Sequence, residues 1–143
     1  MKTLSEIEEI MQSKELEEKR IYVIVAETIF TTNGKIIQPP GRQVAQACHA
    51  VGLFRYQQAR DRRPYDPITT IVLQVRDTAE LNHVYDLLLC KKIKRFLFRD
   101  TNPEYGVREF STAFCTEPVY KEQVEGILDY LPLWGAKWNL QMI

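Results

Sequence analysis

The chain reads as an α/β domain: a mixed four-stranded sheet with helices on both faces, preceded by an amphipathic helix. Three observations predict this. Two runs, "RIYVIVAET" and "ITTIVLQV", are rich in β-branched residues and nearly continuously apolar, as strands covered on both faces are. Segments of helical periodicity separate the strands, which favours parallel pairing. Two later runs, "KRFLFRD" and "EFSTAFCTE", flank the turn-rich "TNPEYG", which favours an antiparallel pair.

Each element follows from local chemistry. Thr3 and Ser5 each have Glu three positions on (Glu6 and Glu8), the capping-box pattern. With Leu4, Ile7, Ile10 and Met11 on one stripe, this predicts a helix over about 4–19. After the first strand, Asn33-Gly34 is a hairpin-type turn and Pro39-Pro40 forces extended backbone. A helix then runs from near Arg42 to about Asp61, with Val44, Ala45, Cys48, Val51, Gly52 and Phe54 or Tyr56 available for burial. Asp77 with Glu80 caps a third helix through Leu81, Val84, Leu87 and Leu88 to about Cys90. Pro118 fits a first helical turn and predicts a last helix to about Tyr130, stopped by Pro132. The tail "GAKWNLQMI" is expected to add an edge strand or clasp a partner. The boundaries are a helical extension over 1–20, a core domain over 21–134 and a tail over 135–143.

Composition narrows the function. At 143 residues the chain holds one domain with a real core. No apolar run approaches the roughly 20 residues that cross a bilayer, so no membrane role is expected. The Glu-rich start lacks the apolar segment of a secretion signal, and cytoplasm is the expected compartment. Cys48, Cys90 and Cys115 are odd in number and lack C-x-x-C spacing, which argues for reduced thiols rather than disulfides or zinc. His49 and His83 are too few for a histidine metal centre, and no motif asks for a metal or another cofactor. Nineteen Lys and Arg balance nineteen Asp and Glu, so a nucleic-acid role needs a local patch. Two stretches could supply one: Arg55, Arg60, Arg62 and Arg63, and Lys91, Lys92, Lys94, Arg95 and Arg99. Taken singly, each reads first as a solvated rim.

The segment richest in chemistry is "GRQVAQACHA", Gly41 to Ala50, at a helix start. Ligands in sheets of this kind collect at strand C-terminal ends and helix N-terminal starts, and Gly41-Arg42 and Arg99-Asp100 both stand there. His49 reads equally as an acid–base group and as a packed histidine. Cys48 beside it points about 100° away around the helix, so the two form no nucleophile–base pair. Gln46, one turn before His49, could orient a ligand or satisfy buried backbone. Trp134, Trp138 and Tyr105 read as packing residues before stacking platforms for a base.

These residues, in this order, resemble the archaeal and eukaryotic type of peptidyl-tRNA hydrolase, type 2. That family opens its first core helix with Gly-Lys, a Gln four residues after that Lys, and His-Ala. Gly41-Arg42, Gln46 and His49-Ala50 stand in the same register. "FLFRDTN" occupies the place of the family's strand ending in aspartate, and "STAFCTEPVYKEQVEGILDYL" that of its last strand and helix. The resemblance spans roughly 21–134. It implies a hydrolase that cleaves the ester joining a stranded peptide to tRNA, with peptidyl-tRNA as partner, a homodimer as assembly and no cofactor.

By the same resemblance, Asp100, Arg42, His49 and Thr112 are the catalytic candidates. Gly41, Gln46, Glu104 and Arg99 are the substrate-binding candidates. Arg42 replaces the family's lysine; an arginine keeps the charge but cannot serve as a neutral amine. Glu104 falls where the family has a threonine, and an ion pair between Glu104 and Arg42 across the site mouth is the expected compensation. The alternative is a member that has lost turnover and binds RNA or a protein partner through the same surface.

Overall fold

The computed structural model describes residues 1–7, 18–64, 66–101 and 109–136. Five strands form one sheet: β1 (Arg20–Thr31), β2 (Gly34–Ile37), β3 (Thr69–Asp77), β4 (Arg95–Asp100) and β5 (Phe110–Thr116). Two α-helices are described in full, α1 (Pro40–Arg60) and α2 (Thr78–Cys90). β1 lies between β3 and β5; it runs parallel to β3 and antiparallel to β5, and β4 pairs antiparallel with β5 at the far side. The parallel pair is the one joined through a helix, as a crossover requires. The fifth strand is β2, which folds back on the end of β1 through a two-residue turn, Thr32-Asn33, with Gly34 already paired to Thr31. Gly34 takes φ +112°, the conformation that makes glycine useful there.

The helices divide the faces as expected. Ile21, Val23 and Val25 of β1, with Ala113 and Cys115 of β5, pack against Ala50 and Phe54 of α1. On the other face Tyr22, Ile24 and Ala26 meet Leu81, Val84 and Leu88 of α2 and Val124 and Leu128 near the chain's end. The alternation along β1 thus feeds two cores from one strand. α2 starts as its sequence says: the Asp77 carboxylate accepts the backbone N–H of Glu80 at 2.9 Å.

Three expectations are corrected or fall outside. The helix predicted over 118–130 is a 3-10 turn, Lys121–Val124, followed by turns. Glu125 is extended (ψ 141°) and Gly126 is left-handed (φ +80°), so the helix cannot propagate. The buried face of α1 is Gln43, Gln46, Ala50 and Phe54; Val44, Ala45, Cys48 and Gly52 are exposed. Two glutamines displace apolar residues from that face because each finds hydrogen-bond partners inside, as described below. The capping box of Thr3 and Glu6 is present, but residues 8–17 of the predicted N-terminal helix and 137–143 of the tail lie outside the described residues. An edge pairing does exist just before the tail: Trp134 N–H donates to Val72 O at 2.9 Å and Gln74 N–H to Pro132 O at 3.0 Å, along the outer edge of β3.

Candidate functional site

The start of α1 meets the ends of β4 and β5 through one amide. Gln46 Nε2 donates to Asp100 Oδ2 at 2.9 Å, and Thr112 Oγ1 donates to Gln46 Oε1 at 3.1 Å. The second carboxylate oxygen, Asp100 Oδ1, accepts the backbone N–H of Thr101 at 2.8 Å. Thr112 and Gln46 are buried and Asp100 is half-buried, so the carboxylate stands where this buried polar pair meets the surface. Both ends of the Gln46 amide are used, which fixes its orientation and that of the groups it joins.

Thr112 reaches Gln46 through an irregularity. Phe98 pairs with Ala113, but Arg99 pairs with Ser111, so β5 carries one more residue than β4 at this point, and that residue is Thr112. A bulge changes the local alternation and re-aims a side chain. Here it takes the hydroxyl towards α1.

Arg42 is one turn before Gln46 on the same stripe of α1, and His49 is nearly one turn after it. Arg42 is half-buried; its backbone N–H donates to Pro39 O at 3.0 Å. The His49 ring is exposed and stacks on Phe98 of β4, centroids 4.6 Å apart and 23° between planes. Arg99, beside Asp100, is exposed. Gly41 is exposed, and a Cβ there would meet nothing within 4 Å, so no steric need explains the glycine in this chain. Glu104, and with it the expected pair with Arg42, lies outside the described residues, as do Asn102 and Tyr105.

A second polar chain braces the helix start. Gln38 Nε2 donates to Ala26 O at 2.7 Å, tying the loop before α1 to β1. Gln43 Nε2 donates to Gln38 O at 2.8 Å, and Gln43 Oε1 accepts from Gln74 Nε2 at 2.8 Å and Trp134 Nε1 at 2.9 Å. One glutamine side chain therefore joins the loop, β3 and the chain's last described segment. Reading the sequence missed Gln38, Gln43 and Gln74 altogether. The available signal was a glutamine inside the otherwise apolar "IVLQV" and a second one at helical spacing from Gln46.

On the opposite flank of α1 from Arg42 and His49, an apolar groove of about 430 Å³ is lined by Val44, Cys48, Val72 and Trp134 among others. Cys48 and His49 thus face different surroundings, as their 100° separation dictates. Cys115, buried under α1, has its thiol pushed up to about 12 by burial. Among the described residues no cluster of three or more His, Cys, Asp or Glu side chains could hold a metal ion, and no helix is long and apolar enough to cross a membrane.

The family described as Peptidyl-tRNA hydrolase PTH2 matches residues 19–134. The chain belongs to this family. The matched span begins just before β1 and ends at Trp134, so it contains the whole sheet, both helices and every residue of the Gln46 site. Comparison with the curated proteins gives no match. Within this type-2 peptidyl-tRNA hydrolase domain, the Asp100, Gln46 and Thr112 constellation joins the segments that carried the family resemblance.

Proposed function

We propose that this chain hydrolyses the ester bond of peptidyl-tRNA at the Asp100 site, releasing peptide and tRNA. The observation that carries this reading is the Gln46 amide, which holds Asp100 and Thr112 together near the start of α1, one turn after Arg42. Ester hydrolysis needs a directed water, a stabiliser for the oxyanion and cations for the nucleic acid.

Asp100 orients a water and takes its proton as the water oxygen bonds to the ester carbonyl carbon. The resulting oxyanion is met by the Arg42 guanidinium and the positive end of α1. Collapse of the tetrahedral intermediate breaks the bond to the ribose oxygen, which takes the proton that Asp100 holds and so returns the carboxylate to its starting state. Gln46 and Thr112 act as positioning residues that hold the carboxylate. His49, stacked on Phe98, offers a ring face at the mouth for the terminal base, and Arg99 supplies charge for a phosphate. The open side of Gly41 leaves the backbone approachable.

The test is release of the blocked amino acid from N-acetyl-aminoacyl-tRNA by the pure full chain. Release that falls at least about 100-fold in Asp100→Asn supports the reading. A wild-type chain that binds tRNA and releases nothing overturns it and makes the protein a non-catalytic binder.

A further inference from the structure

α1 covers only part of the sheet face on which it lies. Its buried side packs on β1, β4 and β5, and no described helix lies over β3 on that face. The seam between α1 and β3 is the apolar groove of about 430 Å³, with Val44, Cys48 and Val51 on its helix wall and Thr70 and Val72 on its strand wall. The three helix residues stand three or four positions apart and so share one stripe. None of the described lining residues is charged. Val44 is 45% exposed, and a contiguous apolar strip of this kind is a surface that soluble domains cover.

The last described residues border this groove. Leu133 bridges to Leu73 at the outer edge of β3, and the indole of Trp134 lines the groove and donates to Gln43. The Ala136 N–H then closes a turn on Leu133 O at 3.1 Å, with Gly135 at φ +79°, the left-handed position that a type II turn gives to glycine. The turn folds the chain back beside Trp134 instead of carrying it on along β3. Residues 137–143 follow, Lys-Trp-Asn-Leu-Gln-Met-Ile, in which polar and apolar residues alternate up to Met142. That spacing puts Trp138, Leu140 and Met142 on one side of an extended chain. Seven residues reach about 10 Å as a helix and at most about 25 Å when extended. The helix wall from Val44 to Val51 is about 10 Å long. From Ala136 the segment is long enough to line all of it.

We propose that residues 137–143 lie in the groove between α1 and β3, with Trp138, Leu140 and Met142 against Val44, Cys48 and Val72. Residues 8–17, also outside the described residues, fit it less well. Glu8, Glu9, Glu15 and Glu17 would bring carboxylates to an uncharged seam. That segment also reaches β3 on the other face: the Glu18 carboxylate accepts from the Thr69 hydroxyl, and Thr69 alternates with Thr70, which lines the groove. Once seated, the tail closes the seam over Gln43 and Trp134. The amide brace at the start of α1 then works out of water, where each hydrogen bond is stronger. This seat does not depend on hydrolysis at Asp100.

The test uses the full chain with Cys90→Ser, which leaves Cys48 as the exposed native thiol while Cys115 stays buried. Single cysteines are placed by Trp138→Cys, Leu140→Cys and Met142→Cys, oxidised with glutathione disulfide and mapped by peptide mass. A disulfide needs Cα atoms within about 7 Å, so a link to Cys48 reports a seated tail. At least one of the three is expected to link to Cys48 within a single chain, at a rate independent of protein concentration. Val44→Glu, at an exposed position, leaves the thermal midpoint unchanged and slows that link by about tenfold or more, because it puts a charge in the groove. The emission that Trp138 contributes, taken as the difference from Trp138→Phe, lies at the wavelengths of a buried indole and moves to longer ones in the Val44→Glu background. A link to Cys48 formed only between two chains overturns the proposal and gives the groove to a second copy. Faster linkage from Ile7→Cys than from any tail cysteine overturns it in favour of the N-terminal segment. So does the absence of any link, or a Trp138 emission that Val44→Glu leaves unmoved. None of these outcomes bears on release from N-acetyl-aminoacyl-tRNA, which is measured separately.

Discussion

α1 and α2 cover opposite faces of one sheet with different chemistry. α2 buries Leu81, Val84 and Leu88, all apolar, and its start is closed by the Asp77 cap. α1 buries Gln43 and Gln46 in its first two turns and only then Ala50 and Phe54, and no side chain caps its start. The apolar helix is held by area removed from water, which is indifferent to orientation. The polar one is held by amides whose donors and acceptors must each find a partner, which dictates orientation. Through Gln46 the polar contacts of α1 fix the Asp100 carboxylate and the Thr112 hydroxyl relative to each other, which an apolar face cannot do.

Substitutions on each face sharpen that contrast. Asp100→Asn has the largest effect on turnover, a loss of about 10²–10⁴ in the release assay, with an unchanged circular-dichroism spectrum. Leu88→Ala has the largest effect on stability, a loss of about 2–5 kcal/mol in urea unfolding. A comparable collapse of activity before unfolding in Leu88→Ala would erase the division between the faces. Gln43→Leu comes next. It keeps the bulk but strands the Gln74 amide, the Trp134 N–H and the Gln38 carbonyl, for a loss of about 1–3 kcal/mol. If that variant is as stable as wild type, the polar brace contributes nothing.

The thiols give a smaller, pH-dependent readout. In the folded protein Cys48 and Cys90 are exposed and react with a thiol reagent, while Cys115 reacts only on unfolding. Burial raises the Cys115 thiol from its ordinary 9.0 to about 12. Above pH 9 the unfolded chain releases a proton that the folded chain keeps, so this contribution to stability is complete below 9 and is lost as pH rises towards 12. Cys115→Ala removes that slope from the unfolding midpoint. The smallest effect belongs to Gly41→Ala. Its Cβ would meet open space and its φ is ordinary, so stability changes by less than about 0.5 kcal/mol. A large loss of activity with stability intact would give Gly41 a role in substrate approach.

Much of this was legible because it is local. The β-branched runs became β1 and β3, Asn33-Gly34 became the hairpin, and Asp77 with Glu80 became a working cap. The hairpin raised the sheet from four strands to five, since β2 is four residues long and too brief for its own apolar signature. The last predicted helix failed because Glu125 and Gly126 take non-helical backbone that Pro118 and the apolar spacing do not reveal. The candidate site was legible in part: Asp100, Gln46 and Thr112 stand out in the sequence, but their joining through one amide does not.

By itself the sequence determined the composition class, the strand and helix periods, the caps and the ordered motifs of the peptidyl-tRNA hydrolase family, because each depends on neighbours a few residues apart. Only the tertiary structure decided that residues 46, 100 and 112 share hydrogen bonds and that a bulge in β5 stands at Thr112. It alone showed that Gln43 is an internal brace and that Arg63 and Lys94, far apart in the chain, line one hollow. Those facts depend on which strands are neighbours and in what register, and on which flank of α1 meets the sheet. Packing of the whole chain sets these, and no local stretch encodes them.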